Sequence, residues 1–346
     1  MSRYETRDVE PSEIIRPQLL LPGRYGVKIA RSVAQLMGGG VEVDDSYYRN
    51  THFACGEICP TVQADLEDKN VAVISSYRSG NDKCNVAAME TYMLGQTARD
   101  WGARHVSGVL LNMYGARQDR LNTTDRQQQP LTVKGEVDRL RVSGFNRLIT
   151  IDPHSNALYD YCDDAHGINP QSLYIERLKA IIGENPEKYI IIAPDKGSGE
   201  RLGSYQQELG VDVLVMKKDH DKFTGEKRYS AQDLSLVNGK TAIVIDDMID
   251  SAGTMLKSAI QLEKEGEAEG LIAVATHTIL SGNAVKNLKN PAFTKVIATD
   301  GILKEEDEIA LGDKLDVVPI APLIARYFTG QLACRDVATR GKLKTA

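Results

Sequence analysis

The sequence predicts an α/β protein of two domains, each a mainly parallel sheet flanked by helices. Three observations carry that expectation. The chain has 346 residues, more than one medium core organises. Short β-branched runs recur: VAVISS (71–76), HVSGVLLNM (105–113), RLITID (147–152), YIIIAPD (189–195), VDVLVMK (211–217), TAIVIDD (241–247), LIAVATH (271–277) and KVIATD (295–300). Between them, NVAAMETYMLGQTARDWGA and AGTMLKSAIQLEKEGEAEG place apolar residues at helical spacing and end near glycine, as helices do. Strands alternating with helices imply parallel sheets covered on both faces, with ligands at the carboxyl ends of the strands.

The first break in the pattern is YCDDAHGINPQ (161–171), which reads as a loop and a domain boundary. The expected domains are residues 1–165, joined by a returning segment 329–346, and residues 166–328. KKDHDKFTGEKRYSAQD (217–233) is charged, lacks periodicity and reads as a mobile surface loop that closes like a lid. The strand ends TIDPH and IAPD share with VIDD a strand-then-acid design, although no repeat of fixed period is apparent.

A net charge of -6 provides no basic footprint for nucleic acid. No run of 18 apolar residues occurs, and MSRYETRDVE lacks the apolar core of a signal peptide. Five scattered cysteines (Cys55, Cys59, Cys84, Cys162, Cys334) lack a second metal-ligand pair and suit reduced thiols. A cytoplasmic protein without membrane or nucleic-acid partners is the expectation.

The densest chemistry lies in TAIVIDDMIDSAGT (241–254). A phosphate needs several N–H donors converging on it, and a turn of small residues opening a helix provides them. Asp250, Ser251, Ala252, Gly253 and Thr254 have that composition. Asp246 and Asp247 would repel a bare phosphate but accept hydrogen bonds from sugar hydroxyls. Together the two parts suit a ribose 5-phosphate. The plainer alternative is an ordinary strand-to-helix turn, with Ser251 or Thr254 capping the helix. Other nucleotide signatures fail. A P-loop ending in the GKT at 239–241 would need glycine where Leu234 stands, and Gly197, Gly199 and Gly203 miss the dinucleotide fingerprint by one residue.

VIDDMIDSAGT resembles the phosphoribosyl-diphosphate signature shared by type I phosphoribosyltransferases and ribose-phosphate pyrophosphokinases. YGARQDR (114–120), TIDPH (150–154), IAPDKGSGERL (192–202), ATHTILSG (275–282) and HFACGEI (52–58) are similar to motifs of the second family, in its order. The resemblance implies two phosphoribosyltransferase-like (type I) domains. It also implies Mg²⁺-dependent transfer of the β,γ-diphosphoryl group of ATP to the C1 hydroxyl of ribose 5-phosphate. Carried onto this sequence, His154 and Asp195 hold magnesium, with His154 also beside ATP. Arg117, Gln118, Asp119 and Arg126 hold ATP. Lys217, Lys218 and Arg201 attend the transferring phosphates. Phe53 stacks on adenine and Glu57 accepts from its amino group, on a loop that in the family comes from a neighbouring subunit. A homo-oligomer built from dimers, up to a hexamer, follows from that loop.

Some positions depart from the family pattern. Cys55 stands where an aspartate is usual, Ser198 replaces a glycine beside the diphosphate, Asp219 interrupts a basic loop, and LNMYG replaces an aromatic-proline lead-in. The ribose-phosphate signature is intact. Three further readings stand beside the default: the same chemistry on a larger acceptor such as ADP-ribose, a non-catalytic regulatory homologue, and a phosphoribosyltransferase.

Overall fold

The structure, a computed structural model, describes residues 13–46, 51–78, 83–121, 128–193, 196–215, 218–220, 227–229, 234–332 and 337–339. The chain divides into two compact units, Met1–Pro170 with Pro319–Ala346 and Gln171–Val318.

In unit 1 the strands are β1 (Leu19–Pro22), β2 (Glu42–Val43), β3 (Thr51–His52), β4 (Ile58–Cys59), β5 (Asn70–Ser75), β6 (His105–Leu110), β7 (Arg147–Ile151) and β8 (Ala165–Ile168). They alternate with α1 (Val27–Leu36), α2 (Lys83–Asp100), α3 (Thr132–Val142) and α4 (Ala157–Tyr161). A parallel sheet runs β2-β1-β5-β6-β7-β8, and β3 and β4 form a separate hairpin. The apolar runs are continuous because both faces are covered. Leu19, Leu21, Val71 and Val73 pack with Leu94, Ala98, Val137 and Leu140 of α2 and α3, while Leu20, Ala72 and Ile74 are buried on the other face.

Unit 2 contains α5 (Gln171–Ile182), β9 (Tyr189–Ala193), α6 (Lys196–Leu209), β10 (Val213–Val215), β11 (Lys218–His220), β12 (Lys227–Tyr229) and β13 (Thr241–Ile249). After them come α7 (Gly253–Gly266), β14 (Gly270–Thr278), α8 (Ala284–Leu288), β15 (Phe293–Thr299), α9 (Glu305–Leu311) and β16 (Leu315–Val318). Its sheet is parallel throughout, in the order β10-β9-β13-β14-β15-β16. Alternate strand residues serve opposite cores. Ile190, Ile192, Ala273 and Ala275 meet α7 and α8, whereas Ile191, Ala193, Ile272 and Val274 meet α5 and α6.

The chain then returns to unit 1 through α10 (Ala321–Phe328), which packs on α1, and β17 (Val337–Thr339), which pairs antiparallel with β8. A buried polar chain fastens this return. The Tyr327 hydroxyl meets His166 Nδ1 at 2.6 Å, and His166 Nε2 lies 3.2 Å from Asp164 Oδ1. Arg147 donates to the same carboxylate oxygen at 2.9 Å and to the Glu13 carbonyl at 2.6 Å. A neutral imidazole protonated at Nε2 satisfies both contacts, accepting from tyrosine and donating to aspartate. Burial keeps the imidazole below its ordinary value of 6.5. Burial also works to raise the Asp164 carboxyl, but its hydrogen bonds from His166 and Arg147 outweigh that and bring it down to about 2.

Several sequence expectations change here. Residues 165–168, read as interdomain loop, are the buried strand β8; AHGI is too short for its periodicity to be visible alone. The units divide between Pro170 and Gln171, and Pro319 onward belongs to unit 1, so α10 leaves the second domain. The charged segment 217–233 contains the antiparallel pair β11 and β12, whose three-residue strands are too short to display a period of two.

Numbering each parallel sheet in chain order, both read 2-1-3-4-5-6, and both insert a hairpin between strands two and three: β3–β4 in unit 1, β11–β12 in unit 2. The two halves thus repeat one plan whose sequence repeat is not legible.

Candidate functional site

In an open sheet of this order, ligands bind where the order reverses, outside the carboxyl ends of the two strands at that point. In unit 2 those strands are β9 and β13. β9 pairs with β13 as far as Val244, and β13 then continues beside β14 to Ile249. The strand therefore does not stop at its first two acids, as the sequence suggested, but carries them past the end of β9. Asp246 is exposed and Asp247 half-buried, with the Asp247 amide donating to Asp246 Oδ1 at 2.9 Å.

The turn from Asp250 leads directly into α7. Ala252 stands at the N-cap with φ 57° and ψ 9°, a left-handed conformation that costs an alanine roughly 1–2 kcal/mol. No side chain caps the helix and no acid lies in its first turn. The plainer capping reading thus has no support from Thr254, and Ser251 Oγ reaches the Gly253 amide only at 3.5 Å. Ser251 and Thr254 are exposed, and a Cβ on Gly253 would meet Ser251 Oγ at 3.7 Å and no other atom within 4 Å. Behind the turn the hydrogen bonding is dense. The Ile249 and Asp250 carbonyls accept from the amides of Leu280 (3.2 Å) and Ser281 (3.1 Å), the Ser281 hydroxyl donates to Asp250 Oδ1, and Asn287 Nδ2 donates to the Ser251 carbonyl at 2.9 Å. An uncapped helix N-terminus with its carbonyls tied back is suited to holding an anion.

Unit 1 carries the other described candidates. On the β3–β4 hairpin the Phe53 amide donates to the Glu57 carbonyl at 3.0 Å and the Gly56 amide to the Phe53 carbonyl at 2.9 Å. Phe53 is 49% exposed, so it is not a core residue of this chain. Glu57, Cys55 and Cys59 are exposed beside it. Arg117 and Gln118 are exposed and Asp119 half-buried in the segment joining β6 to α3. Gln118 Oε1 accepts from the Thr132 hydroxyl at the start of α3, so its amide organises that helix. Gly115 permits the turn before it: φ is 71° and a Cβ would lie 2.3 Å from Thr132 Cγ2. His154 is exposed just beyond β7, after Asp152, whose φ of 45° turns the chain.

Arg126, Asp195 and Lys217 lie outside the described residues, as do the side chains of Ser198, Arg201, Lys218 and Asp219. Sequence reasoning missed the residues that brace the strand-end loops: Asn112, whose amide accepts from the Tyr77 N–H at 2.9 Å and donates to the Tyr77 carbonyl at 3.1 Å, and Asn287. Single polar residues joined to partners far along the chain leave no local pattern.

Among the described residues no three His, Cys, Asp or Glu side chains gather to hold an ion by themselves. Magnesium does not require such a cage, because it binds through one or two side chains together with waters and substrate phosphates. Exposed His154 is compatible with that mode, and its expected partner Asp195 lies outside the described residues. Among the described residues no helix is long and apolar enough to cross a membrane.

Residues 19–144 match the family model described as the N-terminal domain of ribose phosphate pyrophosphokinase, and residues 232–329 that of the phosphoribosyl synthetase-associated domain. The chain is 31% identical over 277 residues to the ribose-phosphate pyrophosphokinase of Aquifex aeolicus, covering 79% of this chain and 84% of the relative. It is 30% identical over 305 residues to ribose-phosphate pyrophosphokinase 1 of Streptococcus pneumoniae, covering 86% and 88%. The crystal structure of phosphoribosylpyrophosphate synthetase from Mycobacterium smegmatis superposes with a TM-score of 0.76 at 25% identity, over 90% of this chain and 97% of that one.

Proposed function

The chain belongs to the ribose-phosphate pyrophosphokinase family of diphosphokinase-type transferases, and we propose that it transfers the β,γ-diphosphoryl group of ATP to the C1 hydroxyl of ribose 5-phosphate. The supporting observation is the pairing, at the switch point of unit 2, of two carboxylates on an extended strand with an uncapped helix N-terminus. Asp246 and Asp247 accept from the ribose hydroxyls; the turn Asp250–Thr254 holds the 5-phosphate.

The reaction forms one bond and breaks one. The C1 oxygen attacks the β-phosphorus, the bond to the α,β-bridging oxygen breaks, AMP leaves with that oxygen, and the C1 hydroxyl proton is released. Little covalent chemistry falls to the protein, so its part is positioning and charge neutralisation. Lys217, Lys218 and Arg201 are assigned to the charge that develops on the transferring group and the bridging oxygen, where a compact ammonium can follow the moving phosphorus. Arg117 and Arg126 are assigned to the ATP phosphates, with Gln118 and Asp119 shaping their segment. Phe53 stacks on adenine and Glu57 accepts from its amino group, with the hairpin contributed to a neighbouring copy in a homo-oligomer. Magnesium, assigned to His154 and Asp195, would neutralise phosphate charge when bound.

One observation favours a second reading, the same transfer to a larger acceptor such as ADP-ribose. Among the described residues the outer side of the turn is uncrowded: Ser251 and Thr254 are exposed, and a Cβ on Gly253 would meet only Ser251 Oγ, at 3.7 Å. A 5-phosphate esterified on that side meets no wall among the described residues. Incubation with Mg²⁺, ATP and either ribose 5-phosphate or ADP-ribose, read by mass spectrometry for AMP and the 1-diphosphate, separates the two. AMP from neither acceptor rules out the enzymatic reading.

A further inference from the structure

Resting on that reading of the turn, we propose that Ser281 and Asn287 are positioning residues of the 5-phosphate site, acting through the backbone of residues 249–252. The argument begins with the peptide unit. In a planar trans peptide the carbonyl of one residue and the N–H of the next point in opposite directions. The carbonyls of Ile249, Asp250 and Ser251 are all drawn toward the segment 280–287, by the Leu280 amide at 3.2 Å, the Ser281 amide at 3.1 Å and Asn287 Nδ2 at 2.9 Å. The N–H groups of Asp250, Ser251 and Ala252 are therefore turned to the opposite side, where the 5-phosphate would sit. The Ser281 hydroxyl adds a bond to Asp250 Oδ1, holding that carboxylate back from an incoming anion.

The brace is itself anchored. Leu280, Ala284 and Leu288 are buried in the same core as Ile249 and Ala252, and the backbone N–H of Asn287 donates to the Asn283 carbonyl at 2.9 Å. A left-handed alanine such as Ala252 persists only where its surroundings determine it, and these contacts are those surroundings. Neither Ser281 nor Asn287 needs to touch the ligand. Asn287 sets the direction of the Ala252 N–H through the Ser251 carbonyl, and the Ser281 hydroxyl keeps the Asp250 carboxylate away from the anion that these N–H groups receive.

The test is equilibrium binding, independent of turnover. Wild type, Asn287→Leu, Ser281→Ala and Ser281→Thr are titrated calorimetrically with ribose 5-phosphate and, in a second series, with ADP-ribose. Thermal melts check the fold, and magnesium with α,β-methylene-ATP reports the nucleotide side. Asn287→Leu and Ser281→Ala are expected to weaken the acceptor that wild type binds by about tenfold each, the equivalent of one lost hydrogen bond. Nucleotide binding is unchanged, and Ser281→Thr restores acceptor binding. Wild-type affinity in folded Asn287→Leu and Ser281→Ala overturns the proposal while leaving the parent reading intact. Equal weakening of acceptor and nucleotide overturns it in favour of a general structural role. Failure of wild type to bind either acceptor overturns the parent reading and the proposal together.

Discussion

At the switch point of unit 1 the Arg24 amide donates to a carboxylate of its own fold, Glu90 Oε2 at 2.9 Å, while the Arg24 guanidinium donates to Oε1 at 3.2–3.3 Å. Glu90 is 1% exposed. Around this pair Gly26 lies so near β5 that a Cβ would meet the Ile74 carbonyl at 2.4 Å, Tyr77 is buried, and Arg78 covers the Tyr25 ring at 5.1 Å. At the switch point of unit 2 the same strand order ends in Asp246, Asp247 and an uncapped left-handed turn whose carbonyls are tied back. An internal anion fills the first location, whereas the second, on the proposed reading, receives one from outside. Sharing a fold therefore does not mean sharing a site: in unit 1, packing occupies the position that the proposed reading gives to binding in unit 2.

The contrast predicts that changes at the switch point of unit 2 remove activity without stability, and that changes at the switch point of unit 1 do the reverse. The largest effect is expected from Lys217→Ala, with kcat lower by roughly a thousandfold and an unchanged melting temperature, measured by AMP release. Asp247→Ala follows, with acceptor kcat/KM reduced about a hundredfold through loss of a charge-assisted hydrogen bond and ATP KM unaffected. On the other side, Glu90→Ala leaves Arg24 without its carboxylate and is expected to cost about 2 kcal/mol in urea unfolding, below the fully buried range because Arg24 retains some solvent contact, with acceptor KM unmoved. Loss of acceptor binding with full stability in Glu90→Ala would invert the comparison.

Acid sharpens it further. Because His166 is held neutral below its ordinary 6.5, the unfolded chain takes up a proton first as pH falls. Its contribution to stability is complete above 6.5 and is lost progressively below it. Asp164, held at about 2 against an ordinary 3.8, contributes fully above 3.8 and loses that contribution between 3.8 and about 2. Unfolding midpoints should fall from pH 7 to 5, and His166→Gln should flatten that slope. Ala252→Gly should have the smallest effect: relief of the left-handed alanine, partly offset by glycine's extra unfolded entropy, leaves a gain of about 0.5 kcal/mol.

Much of this was legible in the residues. Runs such as VAVISS and LIAVATH read as buried strands because both faces are covered, and the small residues of DSAGT marked the turn that opens α7. The partners of these elements were not legible. Glu90 sits inside an ordinary helical pattern and acquires meaning from Arg24, 66 residues earlier; Asn287 acquires it from Ser251, 36 residues earlier. The doubled fold was implied by the family resemblance and not by any repeat of fixed period, because a shared strand order requires no shared residues. β8 and the β11–β12 pair were missed because three or four residues carry too little periodicity to separate strand from loop.

The most direct test of the central claim is the product analysis with magnesium and ATP. The account predicts one AMP released for each acceptor converted, with a new diphosphate on C1 of ribose 5-phosphate or of the larger 5-phosphoribosyl acceptor. Intact ATP and no AMP in the presence of both acceptors would contradict it.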